Sequence, residues 1–177
     1  HVVRQGKALY AGISNYPADL AERAFEILHQ LGTPCLIHQA KYSMLERWVE
    51  TDLLSTLERY GVGCIAFSPL AQGMLTDRYL DGIPSDSRAG KAMTYLERNQ
   101  VEAQLPKIRQ LNQIALHRGQ KLSQMALSWL LKDDRVTSVL IGASSVNQLK
   151  ENLESLDKLE FDEHEIRKID EVLASMD

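Results

Sequence analysis

Four short apolar runs constrain this fold more than any other feature. Each is closed by small or polar residues and followed by helix-patterned chain. They are Ala8-Leu9-Tyr10-Ala11-Gly12-Ile13, Cys35-Leu36-Ile37-His38-Gln39, Cys64-Ile65-Ala66-Phe67 and the run from Val136 to Ile141. Strands with one wet face alternate apolar and polar residues. Near-continuous runs like these fit a parallel sheet covered by helices, the α/β class.

The intervening segments read as helices. Pro17 suits a first helical turn, with Asn15 or Tyr16 near the cap. Leu20, Ala24, Phe25, Ile27 and Leu28 then share one face, and Gly32-Thr33-Pro34 breaks the helix. A second helix is predicted around 47–60, turning Trp48, Val49, Leu53, Leu54 and Leu57 inward. Residues 70–99 carry no long period and read as a long loop with room for a short helix. A helix from about 101 to 117 presents Leu105, Ile108, Leu111, Ile114 and Ala115, ending at a left-handed cap at Arg118-Gly119. Ser123 is expected to cap a helix through Leu131. Another helix runs from about 146 to 156. Asp162 and Glu165 form a capping box for a last helix carrying Ile166, Ile169, Val172 and Leu173. The predicted order is βαβαβ–loop–ααβαα, without a linker, so residues 1–177 read as one unit.

Composition narrows the partners. A 177-residue chain suits one domain. Its net charge of −4 gives no basic field for nucleic acid. No apolar run approaches the roughly 20 residues of a membrane span. The opening His1-Val2-Val3-Arg4-Gln5 has no charged-then-apolar leader, so a cytoplasmic location is expected. Cys35 and Cys64 then read as buried thiols in a reducing compartment. Cys35 and His38 have zinc-ligand spacing but lack a second pair of ligands. His38 alternates with Gln39 along its strand, so it should point the other way and act structurally.

In parallel βα architectures ligands bind beyond the carboxyl ends of the strands. Here those ends are Ser14-Asn15, Gln39, Phe67-Ser68 and Gly142-Ala143-Ser144. Strand ends are polar partly because loops begin there, but amides, hydroxyls and a glycine recurring at four of them suit a site. Gly142-Ala143-Ser144-Ser145 enters a helix whose free N–H groups favour an anion. Ser145 with Gln148 also reads as a capping box, and both uses can share the turn. Arg78 and Arg88 lie in the long loop, where they are either solvated or able to clamp phosphates. Trp48, Trp129, Met125 and Met74 read as packing residues.

At these residues the chain resembles the aldo-keto reductases. The resemblance rests on Gly6 to Asn15, Gln39, Phe67-Ser68-Pro69-Leu70-Ala71-Gln72-Gly73 and Gly142-Ala143-Ser144. Gly61 to Ala66, Asp81-Gly82-Ile83-Pro84, Ser87-Arg88, Leu127 to Leu130 and Val136 to Ser144 are similar to one branch. That branch holds bacterial L-glyceraldehyde 3-phosphate reductases and voltage-gated potassium channel β subunits. The resemblance implies a TIM-type (β/α) barrel of eight strands, of which this chain matches strands five to eight, with residues 70–99 covering the cofactor. The family's catalytic Asp, Tyr, Lys and His belong to the other half, and their motifs do not occur here, so no catalytic residue is expected in this chain.

What the resemblance implies for this half is an NADP(H) seat. Ser14, Asn15 and Gln39 would bind the nicotinamide carboxamide, and Phe67 would stack on the ring. Ser68, Pro69, Leu70, Ala71 and Gln72 would line the pyrophosphate path. Arg78 stands where channel subunits carry Lys. Arg88, Gly142, Ser144 and Gln148 would meet the adenosine phosphates, and Glu151 with Asn152 the adenine. Asp86 occupies a place that can be aromatic in relatives, and 89–101 is shorter than in the bacterial branch. The implied reaction is NADPH-dependent reduction of small aldehydes such as glyceraldehyde 3-phosphate or methylglyoxal. The alternatives are a non-catalytic NADP(H)-binding regulatory subunit or an inactive half-barrel. Four strands would leave two unpaired edges, so the expected partners are a missing N-terminal half-barrel or further copies in a homo-oligomer.

Overall fold

The computed structural model describes residues 1–85, 87, 89–90 and 96–175. Four strands, β1 (Ala11–Ser14), β2 (Cys35–Lys41), β3 (Gly63–Phe67) and β4 (Val136–Val139), pair in sequence order. All three pairings are parallel, as the continuous apolar runs require. β2 runs past its predicted end at Gln39 to Lys41, because β3 pairs with it there, and two other strands shift: β1 begins at Ala11 rather than Ala8, and β4 stops at Val139. Both are edge strands among the described residues, so their ends lack a second neighbour to extend the ladder.

The helices are α1 (Ala18–Gln30), α2 (Leu53–Tyr60), α3 (Arg98–His117), α4 (Leu122–Leu131), α5 (Val146–Leu153) and α6 (Glu163–Ala174). The predicted helix over 47–60 splits into a 3-10 turn at Trp48–Glu50 and α2. The helix over 146–156 likewise ends as α5 and tightens into a 3-10 turn at Glu154–Asp157. The loop over 70–99 contains 3-10 turns at Ala71–Gly73 and Asp77–Tyr79, and α3 starts inside its predicted end.

Three caps instruct. Gly119 at φ +70° closes α3 as expected. Asp162 accepts from the Glu165 amide while the Glu165 carboxylate accepts from the Asp162 amide, completing the predicted box. Ser123 does not cap α4. Lys121 takes that position in extended backbone, and its amide donates to Gln124 Oε1. A side-chain amide reaching back from the third position has substituted for the hydroxyl.

In register, Gly12 faces Ile37, Ser14 faces Gln39, Gln39 faces Ile65 and Lys41 faces Phe67. These residues share one sheet face with Gly63 and Ser138. Gly12 and Gly63 are both needed there. An added Cβ would lie 2.9 Å from Ile37 Cγ2 at Gly12, and 2.7 Å from Ile37 Cδ1 at Gly63. Gly12, Ser14 and Ser138 remain exposed on this face.

The opposite face carries Ala40, Cys64, Ala66 and Val136, buried beneath Phe25, Leu53, Leu57, Met125 and Trp129. A parallel sheet clothed by helices on one side differs from a doubly wound sheet, which carries helices on both faces. The architecture is therefore α/β with four parallel strands, consistent with part of an eight-stranded barrel.

One helical face differs from expectation. On α1, Ala21 and Phe25 are buried, with Leu28 partly buried. Leu20 and Ile27 are exposed. The apolar residues belong to two stripes, and only one meets the sheet.

Candidate functional site

The strand ends build a rim. Asn15 follows β1, and its amide donates to the Gln39 carbonyl at 2.9 Å. Its Oδ1 accepts from the Lys41 amide at 3.1 Å. The donor end, Nδ2, is thus the part of Asn15 that remains to meet a ligand. Behind this turn sits His38, fully buried, with Nε2 3.2 Å from the Tyr16 amide and 3.1 Å from the Tyr16 carbonyl. One tautomer accepts and the other donates, and either anchors the turn that presents Asn15. Burial pushes the imidazole pKa below its ordinary value of 6.5, favouring the neutral ring. The structural reading of His38 holds.

Across the rim, Ser68 to Met74 fold tightly around a 3-10 turn. The Ser68 carbonyl accepts from the Ala71 amide, and the Leu70 carbonyl from the Gly73 amide. Thr76 Oγ1 donates to the Gly73 carbonyl at 2.7 Å and accepts from the Arg78 amide at 3.2 Å, fixing the base of Arg78. Four described non-glycine residues have positive φ: Asn15 (56°), Ser68 (55°), Ala71 (46°) and Gln72 (60°). Each pays for a left-handed conformation that L-residues disfavour, and strain of this kind collects at functional sites. All four lie just beyond β1 or β3.

Between this loop and the segment after β4 lies a cleft of about 540 Å³. Ser68, Pro69, Leu70, Gln72 and Arg78 line one wall; Gly142, Ser144 and Gln148 line the other. The Ser144 amide donates to Gln148 Oε1 at 2.7 Å, and Ser144 Oγ lies 3.1 Å from the same oxygen. Ser145 Oγ accepts from the Gln148 amide, so the cap is real. The expected reciprocal half of the box is replaced, because the Gln148 side chain reaches Ser144 instead.

The structure thus brings eight of the sequence-expected residues to one cleft and places Ala71 in its loop. Ser14, Gln39 and Phe67 stand on the adjoining sheet face at the same rim. Glu151 and Asn152 follow one turn along α5 from Gln148. Glu151 pairs with Lys121. Asn152 is buried, and its Nδ2 has no partner among the described residues. Arg88 and Asp86 lie outside the described residues.

Thr76 and Tyr79 also line the cleft and were not foreseen. The sequence signal was available: Thr76 with Asp77 is a helix-start pair. The two cysteines are buried, and burial raises both thiols, Cys64 to about 11. No metal-holding group of side chains occurs among the described residues.

Among the described residues, the lining carries no carboxylate, imidazole or amine. This arrangement can bind and orient an anionic, partly planar ligand through amides, hydroxyls and one guanidinium.

Comparison with known proteins agrees with the architecture. The sequence model of the aldo/keto reductase family matches residues 1–174. The chain is 51% identical over 179 aligned residues to an L-glyceraldehyde 3-phosphate reductase of Escherichia coli K12, covering 98% of this chain and 52% of that protein. The same figures hold for the reductase of Escherichia coli O157:H7. It is 37% identical to a putative voltage-gated potassium channel subunit beta of Schizosaccharomyces pombe, covering 97% of this chain and 52% of that protein. The chain spans about half the length of these curated relatives. No described helix is long and apolar enough to cross a membrane. With four parallel strands, helices on one face and a match along nearly its whole length, the chain belongs to the aldo/keto reductase family.

Proposed function

We propose that this chain is the cofactor-holding half of an aldo/keto reductase barrel, with NADP(H) seated across the rim formed by the ends of β1 to β4. The observation that carries this reading is the clustering of the four left-handed non-glycine residues at one rim beside the cleft.

The residues present fit a dinucleotide. Gln148 Oε1 accepts from Ser144 N and Oγ, donors that suit a phosphate oxygen at the start of α5. Arg78 supplies positive charge from the opposite wall. The buried Asn152 Nδ2 is a donor suited to an adenine nitrogen.

When bound, the cofactor supplies a hydride to an aldehyde carbon. This chain's residues bind and orient. Ser14, Asn15 Nδ2 and Gln39 hold a carboxamide, and Phe67 offers a ring face. Ser68, Pro69, Leu70, Ala71 and Gln72 exclude water along the phosphate path. Arg88, Gly142, Ser144 and Gln148 bind the adenosine phosphates, and Glu151 with Asn152 the base. The proton for the carbonyl oxygen comes from a group outside this half. Small aldehydes of the glyceraldehyde 3-phosphate or methylglyoxal kind are the proposed substrates, supported by the activity named for the Escherichia coli relatives. A second reading is a regulatory NADP(H)-binding subunit, supported by the similarity to the channel-subunit relative.

Fluorescence titration of the 177-residue chain with NADPH tests the seat. Saturable binding at least about tenfold tighter than NADH is expected, and Gln39→Ala should weaken both. No saturable binding would overturn the cofactor reading. Methylglyoxal added to the NADPH complex should cause no oxidation; turnover would show that the proton donor lies within this chain.

A further inference from the structure

The ladder between β1 and β2 is finished by side chains. β1 ends at Ser14, opposite Gln39. The Asn15 amide adds one more backbone bond, to the Gln39 carbonyl, while β2 runs on to Lys41. On a continued parallel ladder, the Lys41 amide would meet the Asn15 carbonyl, and the Lys41 carbonyl would meet the amide of residue 17. Asn15 is left-handed at φ 56°, which turns its carbonyl out of the ladder. Residue 17 is Pro17, which has no N–H. Two side chains take these places. Asn15 Oδ1 accepts from the Lys41 amide at 3.1 Å, and Trp48 Nε1 donates to the Lys41 carbonyl at 2.9 Å.

The segment from Lys41 to Trp48 is built to deliver that indole. Ser43 and Glu46 exchange backbone hydrogen bonds at 3.1 and 3.0 Å, and Lys41 Nζ pairs with Glu46 Oε2 at 3.1 Å. Arg47 forks onto Glu50 at 2.8 and 2.7 Å and reaches Asp170 of α6 at 2.8 Å. Val49 is fully buried. Trp48 itself is only half-buried. A phenyl ring would cover the same apolar surface but could not satisfy the Lys41 carbonyl.

We propose that Trp48 is a positioning residue for the carboxamide end of the seat, acting through Lys41 to hold Asn15 Nδ2 toward the ligand as a donor. The inference rests on the NADP(H) reading above. An asparagine amide that can turn over offers a ligand either its oxygen or its nitrogen. One held at Oδ1 offers its N–H groups only. The Lys41 amide does that holding, and Trp48 fixes the Lys41 backbone beside it. Without the indole N–H the Lys41 carbonyl turns to water, and the end of β2 loosens. Ordering Asn15 must then occur on binding, which costs affinity for the nicotinamide end. The adenosine end, at the start of α5, is not part of this relay.

Calorimetric titration of the protein with NADPH, and with 2′-phospho-ADP-ribose, which lacks the nicotinamide, tests it. Trp48→Phe should weaken NADPH about three- to tenfold, the worth of one neutral hydrogen bond, and change the second ligand by less than about twofold. An unchanged second ligand also reports that the variant has folded. Asn15→Gly removes the amide while glycine keeps the left-handed turn. In that background Trp48→Phe should have no further effect on NADPH, because residues acting in series do not add. Unchanged NADPH affinity in Trp48→Phe, or additive effects of the two substitutions, would overturn the proposal and leave the cofactor seat standing. Equal weakening of both ligands would make Trp48 a residue of the fold and overturn it too. A parent protein that binds neither ligand would overturn the cofactor reading and this proposal together.

Discussion

Asn152 offers a test in which stability and binding respond differently. The side chain is buried, and Nδ2 has no hydrogen-bond partner among the described residues. A buried donor left unpaired costs about 1–3 kcal/mol of desolvation. Asn152→Ala removes that cost, and also removes packing atoms at a comparable loss for a small cavity. The two nearly offset, so stability should change by less than about 1 kcal/mol. If the donor is held for a base nitrogen, the variant loses one neutral hydrogen bond on binding, about 0.5–1.5 kcal/mol, or roughly two- to tenfold in affinity. Urea denaturation of the free chain reads the first quantity, and NADPH fluorescence titration the second. Loss of about 2 kcal/mol or more of stability with unchanged NADPH affinity would refute the reasoning. It would make Asn152 a packing residue between α4 and α5.

Three further predictions concern the fold. Arg118 is buried: its Nε donates to Gln120 Oε1, its Nη2 to the Glu160 carbonyl, and it pairs with Glu165 while lying 3.6 Å over the Phe161 ring. Arg118→Ala should cost about 3–5 kcal/mol in urea denaturation, because Gln120 and Glu165 lose a shared partner; a change under about 1 kcal/mol would mean water replaces the fork without penalty. His38 should make folding pH-dependent. Burial lowers its folded pKa below 6.5, so between those values the unfolded chain binds more protons and stability falls on acidification. The midpoint of thermal unfolding should therefore drop more steeply from pH 7 to 5 in the parent than in His38→Gln, and equal slopes would refute this. Burial raises the Cys64 thiol to about 11 and also raises Cys35, so a disulfide reagent at pH 8 should label both only as the chain unfolds. Rapid labelling of the native protein would contradict their placement.

The order of elements and the polar set at the strand ends were legible in the sequence. Continuous apolar runs report burial on a sheet, and Gly119 and the Asp162–Glu165 pair mark helix ends by local chemistry alone. The cap at Lys121 was not legible, because any residue in extended backbone can serve when Gln124 reaches back. Nor was the break between Trp48–Glu50 and α2, where a 3-10 turn keeps the same apolar residues inward.

What the sequence alone determined is which residues are apolar and with what period, hence four strands, their parallel class and their polar termini. Only the tertiary structure decided that α1 carries two apolar stripes, one beneath the sheet and one facing out, and that Asn152 is buried with an unpaired donor. The reason is physical. Helical period is set by neighbours three and four residues apart, whereas burial and hydrogen-bond satisfaction depend on which distant segment arrives on each face.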